Sequence, residues 1–402
     1  MRVLRNISWL YQCRAEGGQG EVHPIGGAAL AWADGIIRWV GPESALPREY
    51  RPWPDEDAQR CIVVPGLIDS HTHLAFGGWR ADEFEAKLLG KSYLEIARAG
   101  GGILSTVTKT RAASTPALVD RCLGFLAQMR ALGVTTVEVK TGYGLSLEHE
   151  IRTLEIYRAV AAKTAQTIVP TLLAAHTLPP EFRNDRPGYV ELVIREIIPR
   201  AATEGLARFC DVFVEETAFS VAEAERILAA GKARGLVPKV HADQLTDGGG
   251  AELAARVGAV SADHLERIGE PGIAAMARHG VIAGSLPIAA LYLNQRPLPA
   301  RRLIEAGVPV AVATDFNPGS APSFDLPLAM MLACTLQRMT PKEVLKGATQ
   351  IAARAIGEGG SAGSLEAGKR ADFAMLEAES IEDWLYHFRR NPSRRTVVRG
   401  DG

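Results

Sequence analysis

Apolar residues gather in short, nearly continuous runs along the middle of this chain: Leu67 to His71, Val134 to Val139, Thr167 to Ala174, Cys210 to Val214, Val237 to His241, Ala259 to His264, Val281 to Ser285 and Val310 to Asp315. Runs of this length, rich in β-branched residues and without strict alternation, predict parallel strands buried on both faces. Between them apolar residues recur at helical period, over Thr115 to Leu132, Glu148 to Lys163, Val221 to Gly235, Gly250 to Val257 and Gly272 to His279. Strands alternating with helices in this way predict a (β/α)8 barrel of the TIM type over residues 63–355.

The two ends of the chain break the alternation. Ala28 to Trp32 and Gly35 to Val40 are short strands punctuated by glycine, and Ala371 to Leu376 and Thr396 to Arg399 have the same character. Residues 1–62 and 356–402 are therefore expected to pair into one small β-sandwich domain beside the barrel, giving an α/β protein overall. Glu83 to Thr110 is a long excursion before the second barrel strand and holds Gly100, Gly101 and Gly102. It reads either as a cover over the site or as an irregular turn.

Composition narrows the function classes. The chain has 402 residues, 47% of them hydrophobic, enough for a large core. Lys plus Arg number 45 against 46 Asp plus Glu, so no basic stripe is available to neutralise phosphates, and a nucleic-acid partner is not expected. Arg389, Arg390, Arg394 and Arg395 read as a solvated edge. Five scattered cysteines, Cys13, Cys61, Cys122, Cys210 and Cys334, form neither a disulfide framework nor a thiolate zinc motif and fit a reducing cytosol. No stretch reaches the roughly 18 uninterrupted apolar residues of a membrane span, so neither insertion nor export is expected.

The chemistry sits at the ends of the strand-like runs. His71 and His73 stand two apart after the run Ile62 to Ile68, a period that points both imidazoles to one side of an extended chain. His176, His241, His264 and Asp315 each end a later run, which is how a barrel collects its site at one mouth. A catalytic zinc or iron needs three or four protein ligands with one position left open, and His71, His73, His241 and Asp315 meet that need. His264 is then free for proton work or for steadying an oxyanion, the competing readings being a fifth ligand or a prop behind the ligands. Asp315, touching both metal and attacking water, would take the water's proton. It opens a Thr314 to Ser320 turn rich in backbone donors. Arg80 could clamp a carboxylate through two parallel hydrogen bonds, or be a surface arginine. Tyr143, between Gly142 and Gly144, either leans into the site or packs on the rim.

The segments His71 to Gly78 with Arg80, Thr141 to Leu145, His176 with Pro179 to Glu181, His241 to Gln244, Ser261 to Leu265 and Ala313 to Ser320 together resemble the imidazolonepropionase family of the amidohydrolase superfamily. The likeness spans nearly the whole chain. It implies a cytosolic enzyme of histidine degradation that opens 4-imidazolone-5-propanoate to N-formimidoyl-L-glutamate. It implies one divalent or trivalent metal ion, zinc or iron, on His71, His73, His241 and Asp315, and a small substrate with a carboxylate arm held by Arg80, Tyr143, His176, Gln244, Asn317, Gly319 and Ser320. It also suggests a homodimer. Three positions depart from the family pattern: Gln244 stands where many relatives have Glu, Ile288 where Gly is usual, and Thr141 where Ser is common. Gln244 hydrogen-bonds but cannot act as a base, which leaves that duty to Asp315. A deaminase of another small nitrogen heterocycle would use the same metal without needing Arg80, and a metal-binding protein without catalysis is the remaining alternative.

Overall fold

Strand-forming runs with no polar face must be covered on both sides, and the chain meets that demand by wrapping helices around a closed parallel sheet. The computed structural model describes residues 1–91, 101–388 and 390–401. Five strands precede the barrel: β1 (Arg2–Tyr11), β2 (Pro24–Ala33), β3 (Ile36–Pro42), β4 (Asp55–Asp57) and β5 (Ile62–Pro65). The barrel is β6 (Leu67–Asp69), β7 (Val134–Lys140), β8 (Thr167–Ala175), β9 (Phe209–Val214), β10 (Val237–Ala242), β11 (Ser261–His264), β12 (Ile282–Ser285) and β13 (Val310–Val312), paired in chain order. The helices expected from the 3.6-residue period are present, among them Thr115–Ala131, Leu147–Ala161 and Val221–Ala233. Ser220 and Glu223 close a capping box at the start of the last of these.

The barrel closes beyond its regular strands. Asp315 N donates to His71 O at 3.0 Å and His73 N to Phe316 O at 2.9 Å, so residues 71–73 zip onto residues 315–316 just past the ends of β6 and β13. The Thr314 hydroxyl and amide both bind the Asp69 carboxylate, at 2.6 and 3.1 Å, and lock the seam. His71 and His73 thus lie in an extended segment just after β6, where the sequence put them.

Both chain ends form one sheet in the order β15-β14-β5-β1-β2-β3, with β14 (Phe373–Leu376) and β15 (Ser393–Val397) supplied by the C-terminal part. β5 belongs to this sheet, so the chain enters the barrel at Gly66, a few residues after position 62. Trp32 of β2 and Phe373 of β14 are three strands apart in that order, yet their ring centroids are 5.4 Å apart. Strands in a flat sheet are about 4.8 Å apart, so the sheet curls over its own core as a sandwich does.

Of the excursion, helices Ala81–Leu88 and Ile103–Ala112 are described. Residues 92–100, with Gly100, and Arg389 lie outside the described residues.

Candidate active site

The closing seam delivers the first half of the site. His71 Nε2 and His73 Nε2 approach the same Asp315 oxygen at 3.3 and 3.4 Å, and the two ring centroids are 5.3 Å apart. β10 brings His241 to 4.5 Å from His71, centroid to centroid, and β11 brings His264 to 5.4 Å from His241. Ligand atoms of His71, His73 and Asp315 all fall within 4.8 Å of one another, and so do those of His71, His241 and His264. The expected four ligands therefore converge on His71 as the shared member, with His264 closer to the group than a remote acid or base would be.

The backbone is strained at two of the clustered residues, Asp315 and His264. Asp315 has φ of 57° and His264 of 81°, both in the left-handed region, at a cost of order 1–3 kcal/mol each. The seam hydrogen bonds hold Asp315 there, and Leu265 N, donating to Ala242 O at 2.9 Å, holds the turn after His264.

Electrostatics favour a cation at the centre. His71 donates Nδ1–H to Asp263 at 2.7 Å. Burial and Lys140 push its pKa down, but the hydrogen bond to Asp263 and the nearby Asp315 carboxylate outweigh them and leave it raised to about 9. Burial pushes the Asp315 carboxyl up, while the His71 and His73 rings beside it hold it well below the usual carboxylate range. Burial keeps His73 and His241 neutral, the state a ligand imidazole requires. His71 Nε2, His73 Nδ1 and His241 Nε2 are buried with no hydrogen-bond partner. Orphaned imidazole nitrogens beside an ionised carboxylate are the donor set of a zinc- or iron-type site, so the residues fit the metal the sequence implied.

A cavity of about 490 Å³ opens onto this cluster and is lined by His73, His241, His264, Asp315, Arg80, Tyr143, His176, Gln244, Asn317, Gly319 and Ser320. Every site residue expected from the sequence lines it except His71, which is 1% exposed. His176 stacks on His73 at 5.1 Å, and burial beside that ring lowers its pKa to about 3. Its approach needs Gly142, whose φ is 110° and where a Cβ would stand 2.7 Å from His176 Nδ1. Tyr143 is 6% exposed, and burial and Asp315 raise its pKa, so it stays a neutral phenol. Asn317 spends its amide on its own turn, donating to Asp315 O and Ser320 Oγ and accepting from the Gly319 and Ser320 amides at 2.8 Å each. Thr141 uses its hydroxyl to accept from Leu173 N. Ile288 does not line the cavity; it is 5% exposed in the hydrophobic core.

Sequence reasoning passed over the carboxylates that organise these groups. Glu83 takes Arg80 Nη2 at 2.6 Å and Gly102 N at 2.9 Å. Glu150 accepts from Gly142, Gly144 and Leu145 and shapes the Tyr143 loop, while Glu215 accepts from Leu245 and Thr246 and shapes the Gln244 loop. The apolar walls Ile103, Phe213, Leu245 and Leu293 were also missed.

The amidohydrolase family model matches residues 62–401. The imidazolonepropionase of Geobacillus kaustophilus is 48% identical over 371 residues, covering 91% of this chain and 87% of that protein. The chain belongs to the imidazolonepropionase family. A second member, from Cupriavidus pinatubonensis, is 46% identical over 374 residues, covering 93% of this chain and 88% of its own. Among solved structures, atrazine chlorohydrolase TrzN from Arthrobacter aurescens complexed with zinc aligns with a TM-score of 0.74 at 16% identity, over 100% of this chain and 94% of that one. Ochratoxinase from A. niger gives 0.71 at 20% identity, over 99% and 94%. These two share the fold. The family resemblance read from the sequence motifs holds, and the chain is a metal-dependent hydrolase. Among the described residues no helix is long and apolar enough to cross a membrane.

Proposed function

We propose that this chain adds water across the cyclic amide of 4-imidazolone-5-propanoate to give N-formimidoyl-L-glutamate, using one zinc or iron ion on His71, His73, His241 and Asp315. The observation that carries the reading is a single cavity lined at once by the imidazole–carboxylate cluster and by Arg80. A ring to be hydrolysed needs the cluster; a propanoate arm needs the guanidinium.

His71, His73, His241 and Asp315 would hold the zinc or iron ion, which would supply Lewis acidity for the hydrolysis. Arg80 holds the propanoate carboxylate, and Tyr143, His176 and Gln244 fix the ring through its carbonyl and nitrogens. The Asn317 to Ser320 turn forms the wall against which Arg80 rests. Asp315 accepts the proton of the attacking water as its oxygen bonds to the carbonyl carbon. His264 steadies the oxygen charge that develops. The ring C–N bond then breaks, and the proton returns from Asp315 to the leaving nitrogen, so the product gains one water overall. All five cysteines are free, which suits the cytosol as the working compartment.

Incubation of the purified chain with imidazolone propanoate, followed by loss of the ring's ultraviolet absorbance and mass analysis of the product, tests the reading. A ring-opened acid heavier by one water is expected. Release of ammonia with the ring retained would assign the chain to the deaminases instead.

A further inference from the structure

Behind the imidazoles lies a buried charge cluster that the chemistry above does not use. Glu138 and Lys140 of β7, Asp211 of β9, Lys239 of β10 and Asp263 of β11 are each at most 3% exposed. Lys140 Nζ lies 2.8 Å from Asp211 Oδ2, 3.1 Å from Glu138 Oε1 and 3.7 Å from Asp263 Oδ2. Lys239 Nζ lies 3.0 Å from Glu138 Oε1 and 3.9 Å from Asp263 Oδ2, and the Thr171 hydroxyl donates to Glu138 at 2.5 Å.

Two of these carboxylates reach the metal centre with the same oxygens. Asp263 Oδ2 is 2.7 Å from His71 Nδ1, and Asp211 Oδ2 is 3.0 Å from His241 Nδ1. Both imidazoles therefore turn Nδ1 toward the cluster, leaving Nε2 buried and unpartnered on the other side. Among the described residues Lys140 alone forms an ion pair with both carboxylates. Stability by itself is a poor reason to bury five charges, because well-packed apolar residues often do as well. Orientation is a better one: a carboxylate behind a ligand histidine fixes its tautomer and ring plane only if the carboxylate is itself held.

We propose that Lys140 is a positioning residue of the metal centre: its ammonium pins Asp211 and Asp263 side by side, and through them holds His241 and His71 with Nε2 facing the ion. Without that cation the two carboxylates repel each other, and each is free to rotate off its imidazole. The inference rests on the ligand set proposed above.

The test uses metal-stripped full-length chain, wild type against Lys140→Met and against Lys140→Met combined with Glu138→Gln, which removes one charge of each sign. Zn²⁺ affinity is measured by chelator competition, folding by the urea midpoint of the stripped chain, and kcat and KM after reloading with saturating zinc. The expected result is a folded variant whose Zn²⁺ Kd rises about 10- to 100-fold, with kcat reduced and KM within threefold. A folded variant that binds Zn²⁺ within twofold of wild type overturns the proposal, as does failure of both variants to fold, which would make the cluster structural. If stripped wild type itself takes up no zinc, the ligand set falls and this inference with it; normal uptake by wild type and variant alike sinks the inference alone.

Discussion

Replacing Gly319 with alanine separates the proposed clamp from the fold. Gly319 has no left-handed backbone to protect, so a methyl group there acts only through space. Its Cβ would stand 3.0 Å from Arg80 Cζ and closer still to Nη1, with Asn317 Oδ1 at 3.5 Å. Non-bonded heavy atoms pack at about 3.5–4.0 Å, so the nearest nitrogen, Nη1, forces the guanidinium to retreat by at least about 1 Å. The retreating atoms are the end of a long side chain, and stability should change by no more than about 0.5 kcal/mol. Glu83, 2.6 Å from Nη2, resists the move and sets the direction Arg80 must leave. A positioning group displaced by about 1 Å costs about 10²-fold in rate, or roughly 2.7 kcal/mol of transition-state stabilisation. The assay compares kcat/KM for imidazolone propanoate with that for its uncharged side-chain amide. A drop near 10²-fold for the acid with less than threefold for the amide is expected, at an unchanged unfolding midpoint. Equal losses on both substrates, or none on the acid, would refute a carboxylate clamp at Arg80.

Three further outcomes are expected. Asp315→Asn should lower kcat about 10²- to 10⁴-fold at saturating zinc, and a variant keeping a tenth of wild-type kcat would remove Asp315 from proton transfer. His264→Ala should keep its metal, by elemental analysis, while losing a similar factor in kcat; loss of the metal would make His264 a ligand, as its grouping with His71 and His241 allows. Burial pushes the Cys13, Cys122 and Cys210 thiols up to about 12, so a thiol reagent at pH 8 should leave these three unmodified in the native chain and count five thiols after unfolding. Rapid native labelling of Cys122 or Cys210 would contradict their burial.

The barrel was legible because strands buried on both faces leave continuous apolar runs, and each histidine or acid ending such a run lands at the same mouth. Pairing of the chain ends was legible from their shared glycine-punctuated strands. The seam was not, because Thr72, His73 and Phe316 lie past the apolar runs and meet across more than half the chain. The charge cluster was equally hidden. Its partners come from four strands, and Asp263 meets a histidine 192 residues away, a contact set by register and invisible along the sequence. One signal was available: Glu138 with Lys140, and Lys239 with His241, are charged or polar pairs at period two inside apolar runs, and charges buried that way require partners. Asn317 shows the opposite case, a residue whose turn chemistry in the sequence matches where its amide is spent.

The direct measurement of the metal centre is a titration of the stripped chain with zinc or ferrous ion, following turnover of imidazolone propanoate. Activity should be absent without metal, rise linearly and level off at one equivalent per chain, with His241→Ala failing to recover at that dose. Turnover by the stripped chain, or a plateau at two equivalents, would contradict a single ion held by His71, His73, His241 and Asp315.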